Sequence, residues 1–167
     1  MNIDEPIPEP GAFHALKELR LPIDALRWTS EWPALSRVHA ARRRTVLLLP
    51  GIGANEQSLA VLRGFLRRTG HDVHDWGLGR NTGNVAALRE AVLERVSALG
   101  RKARRRVVLV GWSLGGYIAR EVAREQPERV RKVVTLGSPV VGGPRYTAMA
   151  AWYRARGQDL EKIEQRI

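Results

Sequence analysis

Cysteine is absent from the 167-residue sequence, which excludes disulfides, a thiolate nucleophile and any cysteine-ligated zinc site. Lysine is scarce, occurring only at Lys17, Lys102, Lys132 and Lys162, so the formal charge of +11 rests almost wholly on arginine. Histidine is confined to His14, His39, His71 and His74. No apolar run approaches the roughly 18 residues of a membrane-spanning helix. The opening residues, MNIDEPIPEPGAF, are acidic and proline-rich, with neither the basic start nor the apolar stretch of a secretory leader. A cytoplasmic protein is the expectation. Apolar side chains make up 44% of the chain, enough for one domain with a real core.

The arginines cluster. Arg42-Arg43-Arg44 and Arg104-Arg105-Arg106 each stand just before an apolar run of strand length. In a parallel sheet both clusters fall at the N-terminal edge, opposite the edge where such sheets carry their sites. An anion could sit there, apart from any chemistry at the other edge. That placement argues against nucleic acid as a partner.

In chain order, residues 1–44 read as an N-terminal arm. It holds a short helix from Phe13 to Leu21 and an amphipathic stretch with Trp28 and Trp32. Thr45 to Leu49 is the first buried strand, followed by Pro50-Gly51-Ile52-Gly53-Ala54-Asn55. The two glycines do not make a phosphate loop, because Glu56 stands where a third glycine is needed and no Gly-Lys-Ser/Thr follows. Asn55 is placed to cap a helix carrying Leu59, Leu62, Phe65 and Leu66 inward and closing at Gly70. His71 to Trp76 reads as a short edge strand. Its alternating His and Asp residues suit a solvated face rather than a metal site. A helix from Asn84 to Leu99 should stop at Gly100. Val130 to Leu136 is a fourth strand ending in Gly137-Ser138-Pro139, and residues 144–167 carry lid-like helical patterns with Trp152. The fold class is α/β: a doubly wound, mostly parallel sheet with a helical N-terminal arm and C-terminal lid-like helices.

The stretch that organises the rest is RVVLVGWSLGGYIAREVAREQ, from Arg106 to Gln126. Val107 to Val110 form a continuous aliphatic run, as in a strand covered on both faces. Ile118, Ala119, Val122 and Ala123 then recur at helical spacing until Pro127 stops the helix. Gly111-Trp112-Ser113-Leu114-Gly115 therefore sits on a strand-to-helix turn. A sharp turn lifts the Ser113 hydroxyl clear of the sheet, and the flanking glycines let strand and helix close up. The backbone N–H of Leu114, at the helix start, is free to face an oxyanion.

Together LLLPGIGAN, DWGLGRNTG, VVLVGWSLGG and PERVRKVVTLGSP resemble an α/β-hydrolase of the lipase/esterase type, from Thr45 to about Gly143. The resemblance implies a core over residues 45–143 and a lid-like segment over 144–167. It implies Ser113 as nucleophile, with the backbone N–H groups of Ile52 and Leu114 as oxyanion donors. Trp112, Leu114 and Trp152 would line the pocket for a small-molecule ester of an apolar acyl group. No cofactor or metal is implied. In this fold the triad runs Ser, then Asp or Glu, then His. Here no histidine follows Ser113, and the strand end at Gly137-Ser138-Pro139 carries no acid. Asp159 reads as a helix start rather than a strand-end acid. The expectation is a truncated hydrolase that is nearly inactive alone, unless a second copy or a completing polypeptide supplies the base. A non-catalytic hydrolase-like binding module is the alternative.

Overall fold

A computed structural model describes residues 37–138. The helices expected in the arm before residue 37, the lid-like segment 144–167 and Trp152 all lie outside the described residues.

Eight elements follow in order. They are β1 (Thr45–Leu49), a 3-10 turn (Glu56–Leu59), α1 (Ala60–Arg68), β2 (Asp72–Asp75), α2 (Val85–Ala103), β3 (Val107–Trp112), α3 (Leu114–Glu125) and β4 (Val130–Leu136). The four strands form one parallel sheet in the order β2-β1-β3-β4. Every residue of β1 is buried, as its unbroken Thr-Val-Leu-Leu-Leu run requires of a strand covered on both sides.

Alternation divides that burial between two faces. Leu47 and Leu49 point into a cluster built with Leu109 of β3, Val92 and Val96 of α2, and Ile118 and Val122 of α3. Val46 and Leu48 point the other way, to Leu59, Leu62 and Leu66 around α1. So α2 and α3 cover one face and α1 the other. The chain leaves β1 towards β2 and leaves β3 towards β4, in opposite directions. Right-handed crossovers then demand helices on opposite faces, as seen. The gap between the C-terminal ends of β1 and β3 is the switch point at which such sheets bind ligands.

Asn55 caps the turn after β1, its side chain accepting from Gln57 N at 3.0 Å. One expectation fails: α2 does not stop at Gly100 but runs to Ala103. The left-handed position falls instead on Arg104, at φ 50°, with Arg104 N donating to Arg101 O and Arg105 N to Gly100 O. Two such bonds close the last turn in the Schellman manner, so the helix ends where β3 has to begin, not at the residue best suited to it. Among the described residues no helix is long and apolar enough to cross a membrane.

Gly64 lies in the middle of α1 with open space where a Cβ would stand. Gly64→Ala should therefore raise the unfolding free energy by about 0.5–1 kcal/mol, since alanine loses less backbone freedom in a helix. Urea denaturation checks it.

Candidate active site

β3 ends at Trp112, and the next residue turns sharply. Ser113 adopts φ 51° and ψ −122°, one of two positive-φ non-glycine residues among those described. Such a conformation costs about 1–3 kcal/mol and persists only when its surroundings enforce it. Here Ser113 N donates to Leu136 O at 2.8 Å, tying the turn to β4. Ser113 O accepts from Gly116 N at 2.9 Å, starting α3. The hydroxyl makes no capping bond to its own helix.

Glycine is required around this turn for lack of room. A Cβ on Gly111 would collide with the main chain of Gly115 and Gly116. On Gly115 it would meet the carbonyl oxygens of Leu49 and Pro50. On Gly116 it would meet the Ser138 hydroxyl. Strand, turn and helix are thus pressed against the end of β1.

The loop after β1 faces this turn. A Cβ on Gly51 would stand 3.3 Å from Ser113 Cβ and 3.2 Å from Trp112 Cε3, so the loop passes directly beside the serine. Ile52 is next in that loop. Neither Ile52 N–H nor Leu114 N–H donates to an acceptor among the described residues. Both are therefore available to a developing oxyanion, with the α3 dipole adding partial positive charge at Leu114.

Asn81, in the loop after β2, holds the Gly51–Ala54 turn, and sequence reasoning missed it. It is 1% exposed. Its Nδ2 donates to Pro50 O at 2.9 Å, its Oδ1 accepts from Gly83 N at 3.0 Å, and its N–H donates to Ala54 O at 2.8 Å. Its carbonyl in turn accepts from Gly53 N at 2.8 Å. A buried amide can donate and accept at once, which few side chains do. The glycines on either side of Arg80-Asn81-Thr82 were the available signal, but they could not distinguish an exposed turn from a buried clamp.

The other expected site residues divide. Trp112 is 41% exposed, with its ring against Gly51. Leu114 is 7% exposed and its side chain joins the core. Trp152 lies outside the described residues. Three histidines are described, and none is brought to Ser113. His71 Nδ1 accepts from Arg44 N at 3.3 Å at the start of β2. His74 Nε2 lies 3.2 Å from Asp72 Oδ2, two strands away from β3. That hydrogen bond, foremost, holds the Asp72 carboxyl below its ordinary pKa. His39 Nδ1 bonds Arg37 O.

Two further titratable side chains are engaged by their surroundings. Asp75, at the end of β2, is gripped through both oxygens by Arg63 Nη1 at 2.8 Å. Burial, with Glu121 adding to it, pushes the Tyr117 hydroxyl above its ordinary pKa. Just past β4, the buried Ser138 Oγ has no hydrogen-bond partner among the described residues. Among those residues no group of three or more His, Asp or Glu could hold a metal ion.

Gly115→Ala should cost about 3 kcal/mol or more in guanidinium denaturation, because the colliding atoms are main-chain carbonyls that cannot rotate away. Asn81→Ala strands the buried Pro50 carbonyl and should cost about 2–3 kcal/mol by the same measurement. A loss under ~0.5 kcal/mol in either variant would mean the loop relaxes freely.

Comparison with known proteins agrees with this geometry. The sequence pattern of the alpha/beta hydrolase family matches residues 10–166. A pimeloyl-[acyl-carrier protein] methyl ester esterase of Citrobacter koseri is 33% identical over 124 residues, covering 73% of this chain and 46% of that protein. Its Klebsiella pneumoniae counterpart is 34% identical over the same shares. The chain thus matches less than half the length of these relatives. Among solved structures, the mature Bacillus licheniformis lipase BlEst2 superposes with a TM-score of 0.53 at 15% identity, over 74% of this chain and 54% of that one. A monoacylglycerol lipase of Paleococcus ferrophilus gives 0.50 at 20% identity, over 72% and 49%. Both likenesses concern the fold. With a parallel four-stranded sheet, a serine on the turn at its switch point and a family match over nearly its whole length, the chain belongs to the alpha/beta hydrolase family.

Proposed function

We propose that the chain is a serine hydrolase of carboxylic esters, with Ser113 as its nucleophile. The observation that carries this is the enforced backbone of Ser113 at the switch point, with the Gly51–Ala54 loop against it. Ser113 Oγ adds to the ester carbonyl while a base takes its proton. The amides of Ile52 and Leu114 hold the resulting oxyanion. Collapse expels the alcohol with a proton and leaves an acyl-serine, which water then cleaves by the same steps with Ser113 departing.

An apolar acyl group suits the exposed ring of Trp112 and the exposed side chain of Leu136 at the adjoining strand end. The Citrobacter and Klebsiella relatives are named as esterases of a methyl ester. A small-molecule carboxylic ester is the class proposed here. We place the core at residues 45–143, the arm at 1–44 and a lid-like segment at 144–167, with Trp152 lining the pocket. The base must come from outside the described residues, and a completing polypeptide or a second copy is its proposed source. His71 and His74 sit on or before β2, which is not a neighbour of β3, and are engaged by Arg44 N and Asp72; this favours one second reading, a hydrolase-like module that binds an acyl group without cleaving it.

The two readings separate on one experiment. Fluorophosphonate labelling of the full chain, beside Ser113→Ala, is run with p-nitrophenyl butyrate turnover in parallel. Labelling located on Ser113 by mass spectrometry and lost in the variant is expected. Without a base the rate should fall several powers of ten below that of a complete triad. An unlabelled Ser113, with or without a sizing column showing an oligomer, leaves the binding module.

A further inference from the structure

At the opposite edge of the sheet from Ser113, the strand starts are ringed by arginine. Arg42, Arg43 and Arg44 lead into β1, Arg105 and Arg106 lead into β3, and Arg131 is the second residue of β4. These six side chains line one open depression of about 450 Å³. Arg105 Nη1 donates to Arg43 O at 3.0 Å, tying the two clusters together across the sheet. Asp72 reaches Arg43 at 3.8 Å but is already engaged by His74. Among the described residues, Arg42, Arg44, Arg105, Arg106 and Arg131 pair with no carboxylate.

Gathering like charges in one place works against folding and raises the local potential for anions. The crowding is visible at Arg44: burial, then the charges of Arg131, Arg42 and Arg105, lowers its pKa from the ordinary value.

We propose that this depression binds a compact oligophosphate of two or three linked phosphate groups. No lysine lines it. Guanidinium forks match phosphate oxygens two at a time, whereas an ammonium acts as a point charge. A carboxylate is filled by one fork, but a phosphate accepts from several directions, as six converging arginines offer. The size fits as well. β1, β3 and β4 are neighbours, so with strands about 4.8 Å apart their starts span roughly 10 Å. That is about the length of a triphosphate, and the lining arginines stay within it. A nucleic-acid strand needs its charge spread along a longer track. The length of the strands, roughly 15–20 Å, separates this depression from Ser113, so it is independent of the proposed ester chemistry.

Calorimetric titration of the full chain with sodium tripolyphosphate at about 50 and about 200 mM NaCl tests it. One variant carries Arg42→Gln, Arg106→Gln and Arg131→Gln. A control carries Arg68→Gln, Arg80→Gln and Arg101→Gln and loses the same charge elsewhere. Wild type and control should bind one equivalent, with affinity falling about tenfold or more between the two salts. The depression variant should bind about tenfold more weakly than the control. Because repulsion is relieved, it should melt no lower than wild type without ligand, which separates lost binding from lost fold. Equal affinity in the two variants overturns the proposal. So does wild type that binds a DNA duplex but not tripolyphosphate.

Discussion

Gly115 lies against the carbonyl oxygens of Leu49 and Pro50, with no room for a side chain between them, and much else follows from that contact. It brings the start of α3 down onto the end of β1, so the turn carrying Ser113 and the loop carrying Ile52 become neighbours. It also explains why Gly111 must lack a side chain, since the returning helix passes over it. The strained backbone of Ser113 is then tolerated because both its sides are held, by Leu136 through the sheet and by Gly116 through the helix. A serine on a looser turn would relax and cap its own helix.

The loop beside the serine would not keep its shape by that contact alone. Asn81 reaches in from the loop after β2 and bonds the main chain at Pro50, Gly53 and Ala54. The loops after β1 and β2 therefore share one network, and the amides of Ile52 and Leu114 take no part in it. Donors that stay unused when the local main chain is otherwise well bonded suit charge that appears only during a reaction.

The sheet also sorts charge along its length. Arginine collects at the strand starts, while the strand ends bear glycine turns, the serine and exposed apolar side chains. The two edges therefore differ in character, one strongly cationic and the other built from turns and apolar side chains. Such separation keeps a strong cationic field away from the switch point, where the only positive charge needed is that of oriented amides.

Much of this was legible in the residues themselves. β1 and β3 showed as aliphatic runs because strands covered on both faces need no polar alternation. Gly-Trp-Ser-Leu-Gly between such a run and a helical pattern placed the strand-to-helix turn that carries Ser113, and Asn55 announced its cap. What remained hidden depended on contacts between distant segments. Gly100 looked like the end of α2, yet the helix ran on to Ala103 because β3 had to start beside it. Asn81 looked like any polar residue in a turn until its neighbours buried it. By itself the sequence determined which segments are strands and helices, and that Ser113 stands on a turn between them, because periodicity and local backbone preference are written in adjacent residues. Only the tertiary structure decided which loop faces that serine, what holds the loop, and that two separate arginine clusters share one depression. Those depend on strand order, and no neighbouring residue encodes it.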